Sequence, residues 1–254
     1  MFAELLEEVT AVAEKKYAFF ERHRGGYLVS SMWAGAAIGL GMILISVVGA
    51  YGEKYEYAMT KVMMGISFSM ALSVVLMMGV DLFTGNNLLM AVAGLQSRLG
   101  WGRVGALWLF NYAGNFLGAV VLALLYANTG VGGGLVGDYI VKLAELKTAP
   151  SFFELLMKGI LCNVLVCLAV LIAIKLKSES GKLIMIFWCI YTFIVCGFEH
   201  SVANMTLFSL TWLLDHSQTV SMAMMVHNLI PVTIGNIIGG GFLLGGSLYY
   251  MGKK

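Results

Sequence analysis

The sequence predicts an all-α integral membrane protein with six transmembrane helices in two inverted repeats of three. Hydrophobic residues make up 59% of the 254 residues and charged residues only 12%, whereas soluble domains are about 45–50% apolar. The second helix of each half is interrupted by a polar sequence with an acidic residue, Asp81 or Glu199, and the third carries Gly-Asn-x-x-Gly at 114–118 or 235–239. Because each half has three spans, the halves must be inverted relative to one another, as in many transport proteins.

The N-terminal segment, residues 1–25, predicts an amphipathic helix at the membrane interface. Its apolar residues recur at helical spacing, and three glutamates stand within the first eight residues, where a signal peptide carries positive charge. A break at the Gly-Gly pair 25–26 is expected to separate this helix from a single six-span transmembrane domain, residues 26–254.

The apolar runs give the spans in order. They are predicted at 27–48, at 62–80 with a second piece at 88–95, at 104–126, at 152–174, at 183–197 with a second piece at 205–214, and at 226–250. Glycines in the first span permit close helix packing in lipid. The glycine-rich connection after the third span has one short amphipathic segment, which is too polar to cross the membrane and is expected to cap one face.

The polar break in the fifth span, around Glu199 and His200, is the strongest candidate for a functional site. Neither flanking apolar run reaches the roughly 20 residues that a helix needs to cross a bilayer. Lipid cannot satisfy the backbone groups of a break, so it must lie inside the protein or along a water-filled path. Ionisable residues within the membrane are rare and usually functional, although a buried Glu–His pair that only joins helices is the alternative.

Composition excludes several other classes of function. The net charge is +2, and no basic cluster with interleaved aromatic residues points to nucleic acid. The cysteines lie in apolar runs without the spacing of a metal or haem site, so we interpret them as packing residues and predict no cofactor or metal. They are Cys162, Cys167, Cys189 and Cys196.

The distribution of basic residues predicts the orientation. Eleven lysines and arginines, including Lys253 and Lys254, fall on the side of the termini, and five fall on the other side. The positive-inside rule therefore predicts that both termini are cytoplasmic and that Lys147 faces outward.

Several motifs, in the same order and over nearly the whole chain, resemble the formate/nitrite transporter family. They are GISFSMALSVVLMMGVDLFTGNN (65–87), KGILCNVLVCLAV (158–170), FIVCGFEHSVANM (193–205) and NLIPVTIGNIIGGG (228–241). Within that family the chain is most similar to the bacterial hydrosulfide-channel branch. The resemblance implies a homopentamer of aquaporin-like protomers in the inner membrane, each with its own pore.

The resemblance also implies roles for individual residues. His200 matches the central histidine, Thr84 a threonine on a flexible loop, and Lys147 a vestibule lysine, which we expect to be exposed so that its replacement leaves assembly intact. Glu199 is expected to orient the neighbouring backbone or tune the site. Amides near the pore and two hydrophobic constrictions complete the set: Asn163 and Asn236; Phe68, Leu72 and Phe193 on one side; Leu82 with Leu207 on the other. The Gly-Asn-Asn after Thr84 departs from the better-known formate channels.

The chemistry of these residue types fits passage of a small monovalent anion such as hydrosulfide, formate or nitrite. An anion in a low-dielectric pore is unstable unless charge compensates it or it becomes neutral. Lys147 attracts the anion, and His200 supplies a proton or a hydrogen bond, since histidine changes its charge near neutral pH. The expected partners are thus small anions, protons, membrane lipid and further copies of the chain.

Two other functions compete with this hypothesis. An aquaporin-like pore for neutral solutes would have the same repeat but normally shows paired Asn-Pro-Ala motifs, and the two prolines here, Pro150 and Pro231, form none. A membrane enzyme using His200 and Glu199 as acid and base would need a nucleophile, metal cluster or phosphate-binding motif, and the sequence shows none with this pair, so we do not expect an enzyme. The choice among hydrosulfide, formate and nitrite, and between a channel and proton-coupled transport, stays open at this level.

Overall fold

The computed structural model describes residues 2–253, so Lys254, which the orientation argument counts, lies outside the described residues. The regular structure in this range is helical. The helices are α1 (Phe2–Arg22), α2 (Arg24–Lys54), α3 (Thr60–Met78), α4 (Phe83–Leu95), α5 (Trp101–Ala127), α6 (Gly134–Thr148), α7 (Phe152–Lys175), α8 (Glu179–Val195), α9 (Ser201–Leu214), α10 (Met222–Asn236), a π-helical segment (Ile237–Leu244) and α11 (Gly245–Gly252).

Six spans follow from these helices, as predicted. Within the described part of the chain, five helices are long and apolar enough to cross a membrane: α2, α3, α5, α7 and the continuous run α10 to α11. The remaining span, the fifth in chain order, is the pair α8 and α9, and α4 continues the span that α3 begins. The two broken spans, 2 and 5, are therefore confirmed.

Each break begins at a glycine in the left-handed backbone region. Gly79 has φ +71° and Gly197 has φ +73°, a conformation that glycine adopts without the steric cost paid by other residues. Four residues after Gly79 the chain enters α4, and four residues after Gly197 it enters α9. Both broken spans thus use the same local device, which supports their equivalence in the two halves.

The Gly-Asn-x-x-Gly motifs lie where the first and third spans of each half cross. A side chain at Gly118 of α5 would collide with the carbonyl oxygen of Met32 on α2, and one at Gly239 would collide with that of Ile160 on α7. Small residues allow such backbone contact, which stabilises helix pairs in lipid. The repeated glycines are therefore explained by helix packing.

The N-terminal boundary differs from the prediction. α1 ends at Arg22, only His23 interrupts the helices, and the glycines at 25–26 lie in the first turn of α2. Glycine permits a break but does not force one, and the amide of residue 27 still bonds to the carbonyl of His23. The apolar face of α1 is buried against the protein itself, including α4 and α11.

The sixth span contains an element that the sequence analysis missed. Residues Ile237–Leu244 form a π-helix, and the backbone N–H of Gly245 bonds to the carbonyl of Gly240 five residues earlier. The glycines at 239–241 in this segment are buried, and π-helical turns within α-helices occur frequently at functional sites.

Candidate functional site

The candidate site lies where the two breaks meet in the protein interior. Thr84, in the first turn of α4, and His200, the residue before α9, are both buried, and Thr84 Oγ1 lies 2.9 Å from His200 Nε2. These residues are 116 positions apart in the chain. The fold therefore joins the two sequence-predicted polar breaks into one centre.

The hydrogen bonds of His200 determine which ring nitrogen carries the proton. Nδ1 accepts a hydrogen bond of 3.1 Å from the backbone N–H of Ala203 and so caps α9. A nitrogen that accepts is unprotonated, and the bond network therefore assigns the proton of the neutral ring to Nε2. Nε2–H then faces Thr84 Oγ1 as a donor.

Two short helices begin at this centre and run away from it. α4 has 13 residues and α9 has 14, which gives each a length of about 20 Å. Helix N-termini carry partial positive charge from their unpaired N–H groups and favour an anion nearby. The arrangement thus presents two positive helix ends to whatever occupies the centre.

The break before α9 carries a buried ion pair. Glu199 is 4% exposed, and Lys147 from α6 donates to both of its carboxylate oxygens at 2.9 and 3.0 Å. Asn204 Nδ2 donates to Glu199 Oε2 at 2.7 Å, and the Lys147 side chain is 18% exposed. Lys147 is therefore a largely buried partner of Glu199, which corrects the expectation of a freely exposed mouth residue.

The break before α4 carries the corresponding pair on the opposite face of the molecule. Asp81 is 2% exposed, and Lys16 Nζ from α1 lies 2.6 Å from its Oδ1. Ser30 donates to Oδ2 at 2.8 Å and Asn86 Nδ2 to Oδ1 at 3.3 Å. Each half-helix thus has a carboxylate at its break, a lysine from the preceding amphipathic helix, and an asparagine five residues after the carboxylate.

Two asparagines fix the backbone of the breaks. Asn115 Nδ2 donates to the carbonyl of Asp81 at 2.9 Å and its Oδ1 accepts from the N–H of Phe83 at 2.8 Å. Asn236 Nδ2 donates to the carbonyl of Glu199 at 3.0 Å and its Oδ1 accepts from the N–H of Ser201 at 3.0 Å. The asparagines of the Gly-Asn-x-x-Gly motifs therefore satisfy backbone groups that a helix would otherwise pair.

The predicted constriction residues are placed in two groups. Phe68 and Phe193 form an edge-to-face pair with ring centroids 5.7 Å apart, and the Phe193 ring stacks on that of His200 at 6.0 Å. Leu72 and Leu82 line one cavity of about 340 Å³, which also includes Lys16. Leu72 lies one turn beyond Phe68 on α3 and shares this cavity with Leu82, whereas the sequence analysis grouped it with the two phenylalanines.

The remaining predicted residues, Leu207, Asn163 and Asn236, are all buried. Leu207 is fully buried in α9. Asn163 Nδ2 donates to the carbonyls of Thr84 and Asn236, and Asn236 Nδ2 also donates to the carbonyl of Gly159. Both amides are buried and bond to backbone carbonyls. Within residues 2–253, no three histidine, cysteine, aspartate or glutamate side chains are grouped to hold a metal ion.

The sequence analysis missed Lys16, Asn115 and Asn204 as site residues. Their signal was the internal repeat: Asn115 occupies the same motif position as Asn236, and Lys16 precedes the first span as Lys147 precedes the fourth. Extending the repeat to the amphipathic helices identifies the Lys16–Asp81 pair. The contact between Lys16 and Asp81 could not be predicted from local sequence, because these two residues are 65 positions apart.

Comparison with known proteins agrees with this architecture. Residues 3–250 match the formate/nitrite transporter family. The nitrite transporter NirC of Escherichia coli is 35% identical over 258 aligned residues, covering 100% of this chain and 94% of that protein. A solved FNT family ion channel has a TM-score of 0.92 at 34% identity, covering 98% of each chain. A solved pentameric formate channel with formate bound has a TM-score of 0.76 at 26% identity, covering 90% of this chain and 97% of that one.

Proposed function

The chain belongs to the formate/nitrite transporter family, and on that basis we propose that it conducts small monovalent anions of weak acids through a pore in each protomer. The observation that carries this proposal is the buried Thr84–His200 contact, placed between two lysine–carboxylate pairs at the starts of two half-helices. Permeation uses three successive environments: a charged mouth, an apolar constriction and a polar centre.

Each mouth attracts the anion through a lysine that is already held in place. Lys147 and Lys16 keep 18% and 21% of their side-chain surface exposed while their carboxylate partners are nearly buried. An ammonium group oriented by a carboxylate retains N–H donors for a passing anion. The net charge of each pair is close to zero, so the anion is drawn in without being bound tightly, as conduction requires.

The apolar constrictions make the charge of the anion the main obstacle. Phe68 and Phe193 on one side, and Leu72 with Leu82 on the other, offer no hydrogen bond to replace the water that the anion loses. Desolvating an unpaired carboxylate-sized ion costs several kcal/mol or more. A weak-acid anion avoids this cost if it crosses the constriction together with a proton.

His200 acts at the centre as a hydrogen-bond donor through Nε2. Its Nδ1 is engaged by the N–H of Ala203, so forming an imidazolium would require loss of the bond that caps α9. Thr84 accepts from Nε2–H and keeps its own hydroxyl hydrogen to donate to the permeant species. The accompanying proton therefore arrives with the anion from solution rather than from the ring.

The names of the relatives support nitrite and formate as substrates, and the resemblance to the hydrosulfide branch adds hydrosulfide. All three are small monovalent anions of weak acids. The solved pentameric formate channel supports a homopentamer. The excess of basic residues on the side of the termini supports an inner-membrane protein with both termini in the cytoplasm.

Reconstituted protein tests the proposal. Proteoliposomes are given gradients of formate, nitrite or hydrosulfide while an internal dye reports pH, and water flux is followed in parallel. We expect anion uptake that acidifies the interior. No anion flux above that of protein-free liposomes would refute the proposed function, and water flux alone would favour the neutral-solute pore.

His200→Asn distinguishes hydrogen bonding from proton donation. Asparagine is a preferred helix N-cap, so α9 is retained while the Nε2–H donor is lost. We expect flux to fall about two- to tenfold, as for loss of one net hydrogen bond, while internal acidification per anion is unchanged. Loss of acidification with persisting anion flux would show that the ring itself delivers the proton.

A further inference from the structure

We propose that Asn163 and Cys167 on α7 form a two-donor clamp on the backbone of Thr84, and that this clamp positions the threonine hydroxyl against His200. The proposal rests on the proposed function, because it assigns a positioning role within the same conduction pathway. It also gives Cys167 a polar role, where the sequence suggested packing alone.

Both side chains donate to the same carbonyl oxygen. Asn163 Nδ2 and Cys167 Sγ each lie 3.1 Å from the carbonyl oxygen of Thr84. They are one helical turn apart, and both are fully buried. The Thr84 hydroxyl, on the other side of the same residue, lies 2.9 Å from His200 Nε2. Fixing the carbonyl therefore restricts where the hydroxyl can lie.

The N-cap residue of α4 supplies no side-chain hydrogen bond, so the first turn of this helix is held by side chains from other helices. Leu82 is the N-cap residue and offers no polar atom, whereas α9 is capped by His200 itself. Uncapped first turns lose part of the stability that a capping side chain supplies. The clamp does not replace a cap, because it donates to a carbonyl whereas a cap accepts from N–H groups. It restrains the position of the same first turn.

The π-helical segment encloses the clamp from behind. A side chain added at Gly240 would place its first carbon 2.5 Å from Asn163 Nδ2, and it would also collide with Cys167 Sγ. Real contacts at that distance do not occur, so a larger residue at 240 would displace both donors. The glycine-containing π-helix therefore keeps the two side chains directed at Thr84.

The inverted repeat provides an internal control for this interpretation. Asn115 Nδ2 donates to the carbonyl of Ser31 on α2, and its counterpart Asn236 donates to the carbonyl of Gly159 on α7. These bonds make Ser31 and Gly159 equivalent positions in the two halves. Positions four and eight residues further along each helix are then equivalent too.

The equivalent positions on α2 carry no donors. They are Gly35 and Gly39, where α7 has Asn163 and Cys167. The half-helix α9, which packs against α2, is thus built without a clamp, and the fold does not require one. The two donors therefore occur on α7, which faces the half-helix that carries Thr84, and not on α2, which faces α9. This difference indicates a role in positioning Thr84.

Substitutions at Cys167 test the clamp in the reconstituted full-length oligomer. Cys167→Ala and Cys167→Ser leave side chains of similar size, and only serine retains a donor. We expect alanine to lower formate and nitrite uptake about two- to tenfold, as for one lost hydrogen bond, and to change the ratio of the two rates. Cys167→Ser should restore the uptake rates and their ratio. Cys162→Ala, a buried cysteine on the same helix without a hydrogen bond to the site, serves as the matched control and leaves both unchanged.

A second measurement separates positioning from general support. In a Thr84→Val background no hydroxyl remains to be positioned, so Cys167→Ala should add no further change in the rate ratio, whereas independent effects would add. The clamp is refuted if Cys167→Ala behaves as Cys162→Ala, if serine is as impaired as alanine, or if the effect persists in full without the hydroxyl. If Cys167→Ala does not assemble, Cys167→Thr, which keeps a donor, and Cys167→Val, which has none, repeat the comparison. Failure of the wild-type protein to conduct anions would instead refute the proposed function.

Discussion

Replacing Lys147 with methionine tests whether the charged mouth supports the structure as well as attracting the anion. The substitution keeps the length and apolar stem of the side chain but removes the ammonium group that contacts both carboxylate oxygens of Glu199. The Glu199 side chain is 5% exposed, so its charge would remain in the interior with Asn204 as a donor. The variant should therefore lose stability, contrary to what an exposed mouth residue would do.

The size of the loss follows from burial. Removing one partner of a buried ion pair costs about 3–5 kcal/mol. The Lys147 side chain is 18% exposed, so water screens part of the interaction and we take the lower end, about 3 kcal/mol. For a chain of this size, 1 kcal/mol corresponds to roughly 2–4 °C in the melting temperature, so we expect a decrease of about 6–12 °C.

The assay is thermal unfolding of the purified oligomer in detergent, with two comparison variants. Lys142→Met breaks the surface pair of Lys142 with Glu53, in which both side chains are about half exposed (52% and 51%), so its cost should stay below about 1 kcal/mol. The double variant Lys147→Met with Glu199→Gln leaves no stranded charge and should regain most of the lost stability. If Lys147→Met and Lys142→Met lower the melting temperature by equally small amounts, the description of Lys147 and Glu199 as a desolvated pair is refuted.

The double variant also tests the lysine in anion entry, because it is expected to be folded but lacks the ammonium donors. It removes one positive and one negative charge, so the net charge of the mouth is unchanged and the N–H donors of Lys147 are what is lost. Its anion uptake should therefore be slower than that of the wild type both at about 0.01 M salt and at about 1 M salt, where surface charges are screened. Uptake equal to that of the wild type would show that Lys147 is not needed for anion entry.

Two further predictions use the same measurements. Thr84→Val should lower anion flux about two- to tenfold through loss of the hydroxyl, with serine at the same position retaining it; unchanged flux in the valine variant would make Thr84 a structural residue only. Lys16→Met should destabilise the protein as Lys147→Met does, because Asp81 is equally buried, and should slow entry from the face of the termini. Vesicles sorted by the orientation of the protein measure entry from each face separately. Slower entry from the opposite face alone would contradict the assignment of Lys16 to the face of the termini.

The two broken spans were predictable because a break leaves a local trace. A helix that stops within the membrane needs a polar sequence where an apolar one is expected, and both Asp81 and Glu199 mark such sequences. The repeated Gly-Asn-x-x-Gly was also visible, although its purpose was not. Only the structure shows that its asparagine pairs with the backbone of the break in the same half.

The failures concern contacts that local sequence does not encode. Whether a lysine is exposed or paired depends on a partner 52 positions away, as with Lys147 and Glu199. The Gly-Gly at 25–26 suggested a break because glycine tolerates one, but the helix continues through it. Cys167 resembled its apolar neighbours, since a thiol is a weak donor whose role depends on a carbonyl 83 positions away.

The two halves agree at the mouths and differ at the centre, and this difference separates the fold from its chemistry. Asp81 and Glu199, like their lysine and asparagine partners, occur in both halves because each half-helix must have its break satisfied within the membrane. The centre follows no such rule: the residue before α9 is His200, and its counterpart before α4 is Leu82. A single donor from one half then meets a single hydroxyl from the other. Two facing histidines would place two large polar rings at the buried centre, whereas the structure places one ring against the Thr84 hydroxyl.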